Sequence, residues 1–328
     1  MKLSTAIEHW AYERPFRITG HTFDGIDVLV ATVEHQGLRG RGEAAGVYYR
    51  GETAATMAIQ VGEIEPSLNR QELLALMPAG GARNAVDCAL WELESLQTGQ
   101  PVWRLAGLNE VRPLLTTYTL GADEAGAMAE RARQFASARA LKLKLVGDGA
   151  DAERVAAVRA ARPDVWMGVD ANQGFTRDSF DALLPTLVAA RVQLVEQPFP
   201  RDRDDWLDGL RSPIPLAADE SVQDRRDIEA LAGRVNVINI KLDKCGGLTE
   251  ALAMVALARR LGLKVMVGNM VGTSLSTAPG FVLGQLCDLV DLDGPLLLTR
   301  DRTPAVAYAD GHISCPAAVW GAGGSDPI

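Results

Sequence analysis

Hydrophobic and polar positions change rhythm along this chain, dividing it into three zones. The first zone alternates. Asp27-Val-Leu-Val-Ala-Thr-Val-Glu34 reads as a strand, Gln36-Gly37 as a turn, and Leu38-Arg-Gly-Arg-Gly42 as its return. The period then lengthens. From Ala82 to Leu96, residues Val86, Ala89, Leu90 and Leu93 share one helical face. Strands followed by helices predict a small α+β domain over residues 1–111.

Residues 112–298 follow another grammar. Short apolar runs recur at Leu114–Leu120, Leu141–Val146, Val165–Val169, Gln193–Val195, Pro215–Ala218, Val235–Ile240, Lys264–Val267 and Leu289–Leu292. Ala-rich helical stretches separate them. Repeated βα units with buried strands predict a parallel sheet, and eight of them predict a closed barrel. An open doubly wound sheet is the competing topology. Residues 299–328 hold a strand-like Ala305-Val-Ala-Tyr308 and a Gly-rich tail. This segment is too short to fold alone and is expected to pack back on the first domain.

Composition narrows the function classes. Lys and Arg number 33 against 42 Asp and Glu, a net charge of −9, which disfavours nucleic acid and anionic membranes as partners. Aromatics are only 5% of the chain, so its apolar mass is Ala, Val and Leu, as packed barrel elements require. Cys88, Cys245, Cys287 and Cys315 form no Cys-x-x-Cys pair and suggest neither a disulfide framework nor a zinc site. Met1–Phe16 carries charges where a signal peptide needs an apolar core, and no apolar run is long enough to span a bilayer. The expectation is a reduced, cytoplasmic enzyme acting on a small molecule, with room for a homo-oligomer.

Asp170, Glu196 and Asp219 each follow an apolar run, 26 and 23 residues apart, about one βα unit. A lone Asp here would read as a helix N-cap. Three carboxylates at the C-terminal ends of successive barrel strands would instead converge at the barrel mouth. They would repel one another unless a cation lay among them, and oxygen ligands favour Mg²⁺, or Mn²⁺, over zinc. The four histidines, His9, His21, His35 and His312, all lie away from barrel strand ends, which argues against a His-rich hydrolase.

Lys142 and Lys144 share one face of Leu141-Lys-Leu-Lys-Leu145, so both should point into the mouth. Mutual repulsion and a nearby metal lower a lysine pKa, making one of them a proton acceptor and leaving the other to meet an anion. Lys241 ends Val237-Ile-Asn-Ile-Lys241 on the sixth strand, opposite the second across the barrel. Lys244, three residues on, should point elsewhere. Two lysines facing one carbon suit removal of a proton from one side and its return on the other. A metal on the neighbouring carboxylate, with Lys142 close by, would stabilise the enediolate.

These residues resemble the enolase superfamily, its muconate-lactonizing subgroup, and within it the dipeptide epimerases of the L-Ala-D/L-Glu type. The resemblance rests on Ala82-Arg-Asn-Ala-Val-Asp-Cys-Ala-Leu-Trp91, Leu141-Lys-Leu-Lys144, Val169-Asp-Ala-Asn172, Val195-Glu-Gln-Pro198, Ala218-Asp-Glu-Ser221 and Ile238-Asn-Ile-Lys-Leu-Asp-Lys-Cys-Gly-Gly247. It implies a modified (β/α)7β barrel of the TIM type under an α+β capping domain. It implies Mg²⁺ on Asp170, Glu196 and Asp219, Lys144 and Lys241 as the two bases, Lys142 near the substrate carboxylate, and Asn172 and Glu220 as supporting groups. Asp291-Leu-Asp293 closes the eighth strand and resembles the Asp-x-Asp that binds a dipeptide ammonium; two anions want a cation. Thr119 resembles a further substrate contact. Where those enzymes carry a loop arginine for a glutamate side chain, this chain reads Phe16-Arg-Ile-Thr-Gly-His21, leaving His21 or Arg17 as the candidate contact. The seventh strand runs into Gly268-Asn-Met-Val-Gly-Thr-Ser274, with Asn269 where those enzymes usually carry Cys. N-acylamino acid racemisation, o-succinylbenzoate synthesis and cycloisomerisation would use the same metal and lysines without needing Asp291 and Asp293. A binding protein without catalysis would need neither lysine.

Overall fold

The computed structural model describes residues 1–65 and 69–322; the end of the Gly-rich tail lies outside the described residues. Strands β1 (Lys2–Ile18), β2 (His21–His35) and β3 (Leu38–Ala44) form an antiparallel sheet in that order. Gln36 and Gly37 connect β2 to β3 with φ of 51° and 82°, the doubly left-handed turn that matches strand twist in a two-residue hairpin. Helices α1 (Ala54–Gly62), α2 (Arg70–Leu76) and α3 (Gly81–Thr98) follow. Thr53 and Asn69 cap α1 and α2 through reciprocal side-chain bonds with Thr56 and Glu72.

The pattern predicted one apolar face on α3, yet residues 81–93 are buried all round. One side lies on the sheet. A Cβ on Gly40 would stand 2.1 Å from the Ala89 carbonyl oxygen, and one on Gly42 2.1 Å from that of Ala85, so both glycines permit close backbone approach. The other side is polar and grips the barrel. Asp87 accepts from Thr249 N at 3.0 Å and Thr249 Oγ1 at 2.6 Å, and Trp91 Nε1 donates to the same hydroxyl at 2.9 Å.

Burial pushes the Asp87 carboxyl up to about 6, against the hydrogen bonds from Thr249 that hold it down. The folded value exceeds that of the unfolded chain, so this group's stabilisation is present below about pH 4 and lost as pH rises through 6. Asp87→Asn removes that dependence. Relative to the variant, the wild type should lose about 2–3 kcal/mol between pH 4 and 7, read from urea midpoints. Parallel stability curves would refute the buried-carboxyl account.

Eight parallel strands form the second sheet, each paired to the next: β5 (Tyr118–Leu120), β6 (Ala140–Lys144), β7 (Trp166–Asp170), β8 (Leu194–Glu196), β9 (Leu216–Ala218), β10 (Val237–Lys241), β11 (Lys264–Gly268) and β12 (Leu289–Asp291). The first and last strands meet through Thr117 N donating to Val290 O at 3.1 Å, which nearly closes the barrel. Helical segments join successive strands; the one after β8, at Arg201–Leu207, is a 3-10 helix. Only a 3-10 turn, Gly294–Leu297, follows β12, giving the (β/α)7β form. Leu194, Ala217, Val237 and Met266 pack together from four successive barrel strands. None of the described helices is long and apolar enough to cross a membrane.

The run Leu114–Leu120 is not one strand. Leu114–Leu115, strand β4, pairs antiparallel with β14 (His312–Ser314), which pairs with β13 (Ala307–Ala309). Thr116 and Thr117 break the run because their N–H groups turn to Gly311 O and Val290 O respectively. Beyond β14 the chain reaches the capping elements: Trp320 Nε1 donates to Arg41 O at 2.9 Å, and Val102 N to Gly321 O at 2.9 Å.

Candidate active site at the barrel mouth

Strand register assembles the site. Lys144 stands beside Asp170 across β6 and β7, and Asp170 beside Glu196 across β7 and β8. Asp219 lies one residue beyond β9. Asp170, Glu196 and Asp219 are all buried, and a carboxylate oxygen from each lies within 4.8 Å of the others. Buried like charges at that range repel strongly, and the lysines answer them. Lys144 Nζ lies 2.6 Å from Asp170 Oδ2 and Lys241 Nζ 2.6 Å from Asp219 Oδ2.

Lys142 occupies a deeper level than the sequence pattern implied. It shares the face of Lys144, but two residues along a strand set it about 6–7 Å further down. There its Nζ meets Glu196 Oε2 at 2.7 Å, Asp291 Oδ2 at 2.8 Å and Asp170 Oδ2 at 3.1 Å. Burial opposes the Lys142 charge, but these three carboxylates outweigh it and hold the ammonium well above the ordinary lysine range. Burial is likewise overridden at Lys241 by Asp219.

Lys244 contradicts the expectation that it points away. The chain turns at once into a short helix, Leu242–Cys245, which folds Lys244 back under the strand end. Its Nζ donates to Asp219 Oδ1 at 2.6 Å, to Asn239 O at 3.0 Å and to the Asp219 carbonyl. Burial pushes its pKa down by more than Asp219 lifts it. Three further polar groups escaped the sequence reading. Asn239 Nδ2 donates to Glu196 Oε1 at 2.8 Å; its spacing of two from Lys241 was the available signal. Gln197 Oε1 accepts from Asp219 N at 2.8 Å and so fixes the Asp219 backbone. The Thr117 hydroxyl donates to Asp291.

The supporting pair is joined, with Asn172 Nδ2 donating to Glu220 Oε1 at 3.1 Å. Burial, then Asp219 and Asp170, push the Glu220 carboxyl up to about 8. Burial also lifts Glu196 to about 7, despite Lys142. Asp291 and Asp293 are both buried but meet different partners. Asp291 pairs with Lys142. Asp293 accepts from Thr119 N at 2.5 Å and Thr119 Oγ1 at 3.2 Å, and makes no ion pair among the described residues. Burial and the neighbouring Asp291 charge raise its pKa to about 7.

A cavity of about 330 Å³ opens over this cluster. Lys144, Lys241, Asp219, Asn172, Glu220 and Asn269 line it from the barrel, and aromatic and aliphatic residues from the capping strands. His21 is not in its wall. It is exposed, stacking outside on Phe23 and meeting Tyr48 edge-on, both of which are. The expected loop at Phe16–His21 is instead a tight hairpin, with only Thr19 and Gly20 between β1 and β2.

The oxygen cluster fits a hard cation. Glu220 Oε2, Asn172 Oδ1 and Asn239 Oδ1 are buried and accept no hydrogen bond, an excess of acceptors around the three carboxylates. Such a donor set suits Mg²⁺ or Mn²⁺.

A (β/α)7β barrel under an α+β cap, with strand-end carboxylates between lysines, defines an enolase-type barrel enzyme. The chain belongs to the mandelate racemase/muconate lactonizing enzyme family: the model of that family's N-terminal domain matches residues 1–107, and the enolase C-terminal domain-like model matches residues 125–323. It is 36% identical over 312 residues to an L-Ala-D/L-Glu epimerase of Escherichia coli, covering 93% of this chain and 97% of that one. It is 40% identical over 251 residues to an N-acetyl-D-glutamate racemase of a Pseudoalteromonas species, covering 76% and 79%. A dipeptide epimerase from Methylococcus capsulatus, complexed with Mg and L-Arg-D-Lys, superposes with a TM-score of 0.87 at 30% identity over 96% of each chain. These relatives are epimerases and a racemase, and the chain is an enzyme of that isomerase class.

Proposed function

We propose that this enzyme epimerises dipeptides, inverting the carbon next to the free carboxylate by proton transfer between two bases. The observation that carries this reading is that Lys144 and Lys241, from strands four apart in an eight-strand barrel, line one cavity together with Asp219 of the carboxylate cluster. Asp170, Glu196 and Asp219 would hold Mg²⁺, with Mn²⁺ as the substitute. When bound there, the ion supplies positive charge to a substrate carboxylate as its α-proton leaves, and favours a neutral lysine. One lysine Nζ takes the α-proton from one face, and the other, arriving as ammonium, returns a proton to the opposite face. Lys142 keeps a fixed positive charge beneath the site, and Asn239 and Gln197 hold Glu196 and Asp219 in place. Asp293, without an ion-pair partner, would receive the dipeptide ammonium.

Racemisation of N-acyl amino acids is the second reading, favoured by the 40% identity to the N-acetyl-D-glutamate racemase. Incubation with Mg²⁺ in D₂O separates the two. Deuterium entering the α-position of L,L-dipeptides but not of N-acyl amino acids supports epimerisation, the reverse supports racemisation, and no exchange into either sinks both. Asp293→Ala should raise KM for dipeptides by about tenfold or more, since a charge-assisted hydrogen bond is lost, with a smaller change in kcat. An unchanged KM would remove Asp293 from ammonium binding.

A further inference from the structure

The cavity has two unlike halves. Its floor carries Lys144, Lys241, Asp219 and Glu220, and its cap-side wall is largely apolar: Phe16 and Ile18 from β1, Phe23 and Ile26 from β2, and Tyr48 beyond β3. Strand alternation explains the sorting. Phe16 and Ile18 face inward while Arg17 between them points to Asp148, 3.6 Å away. Phe23 and Tyr48 pack edge to face at 5.4 Å.

This wall is held against the barrel. Thr19 Oγ1, at the hairpin tip, donates to Ala171 O at 2.7 Å and Leu145 O at 3.1 Å, just beyond β7 and β6. Ala122 N donates to Arg17 O at 2.9 Å. The apolar wall is thereby fixed opposite Lys144 and Lys241.

Its charge inventory is one-sided. Among the described residues, no lysine or arginine lines the wall, and the only cations in the cavity, Lys144 and Lys241, already pair with Asp170 and Asp219. The capping elements contribute two acids instead. Asp27 pairs with His9 Nδ1 at 2.7 Å, and Glu52 accepts from Val47 N at 2.8 Å and Gly81 N at 3.2 Å.

We infer that the cap-side wall is a binding site for an apolar side chain, so that the residue being inverted is hydrophobic, such as Leu, Met or Phe. This inference rests on the epimerase reading above. With the substrate carboxylate over the acidic cluster and the α-carbon between the lysines, the remaining groups must project away from the floor. The amide branch leads toward Asp293, and the side chain meets Phe16, Ile18, Phe23, Ile26 and Tyr48. An apolar side chain gains by leaving water there. A glutamate side chain would lose its hydration with no cation to replace it, beside two further carboxylates.

The test is a panel of L-Ala-L-X dipeptides, with X as Leu, Met, Phe, Glu, Asp and Lys, assayed with Mg²⁺ for epimerisation. The kcat/KM values for Leu, Met and Phe should exceed those for Glu, Asp and Lys by at least about tenfold, the discrimination an apolar pocket can deliver. Phe23→Arg places a cation in the wall and should shift the Glu-to-Leu ratio toward Glu by about tenfold or more. Turnover of L-Ala-L-Glu equal to or better than L-Ala-L-Leu by the wild type overturns the inference and leaves the epimerase reading intact. Absence of turnover across the whole panel overturns both.

Discussion

Lys144→Ala and Lys241→Ala are each expected to lower dipeptide epimerisation by a factor of about 10²–10⁴, the range lost with a positioned proton-transfer group. The two variants should differ in a second measurement. Inversion needs both lysines, but removal of the α-proton needs only the one on its own face. Each variant should therefore still exchange deuterium into one stereoisomer and fail with the other, with opposite choices. This follows from the origin of the lysines on β6 and β10, on opposite sides of the barrel. A variant that still epimerises at the wild-type rate, or a pair that loses exchange with both stereoisomers, would exclude the two-base assignment. Circular dichroism guards against a folding artefact, since each substitution also leaves a carboxylate, Asp170 or Asp219, with one ion pair fewer.

Removal of divalent metal should be as severe. Chelation followed by buffer exchange is expected to reduce epimerisation by a factor on the order of 10³ or more, and added Mg²⁺ to restore it. Full activity in the chelated enzyme would sink the metal assignment. Asp219 gives a companion experiment that does not rely on activity. Its carboxylate is the counter-charge of both Lys241 and Lys244, through Oδ2 and Oδ1 respectively, each at 2.6 Å. Asp219→Ala leaves two buried ammonium groups without that partner. Breaking one buried pair costs about 3–5 kcal/mol, so the urea midpoint should fall markedly even with chelator present. An unchanged midpoint would mean that the two contacts contribute little to stability.

Most of the candidate site was legible because it lies on strands. A βα repeat sets Asp170, Glu196 and Asp219 about one unit apart, and strand alternation sets which residues share a face. Those two periods locate Lys144, Lys241 and the carboxylates from local pattern alone. Asn239 was legible by the same rule, two positions before Lys241, and went unread because an asparagine within Val237–Lys241 suggests no chemistry until its neighbour Glu196 is known.

What the sequence alone determined was therefore which residues occupy strand ends and which face they take, because both follow from backbone periodicity. Only the tertiary structure decided depth, direction after the strand ends, and what covers the mouth. Lys142 shares a face with Lys144 but sits beneath the carboxylates, because barrel closure stacks side chains in layers. Lys244 returns to Asp219 because a four-residue helix reverses the chain after β10. Thr116 and Thr117 interrupt an apolar run because their backbone groups have partners in β12 and the turn before β14, nearly two hundred residues away. The apolar wall over the site arises where a hairpin from the capping domain docks on β6 and β7, a contact no local period encodes.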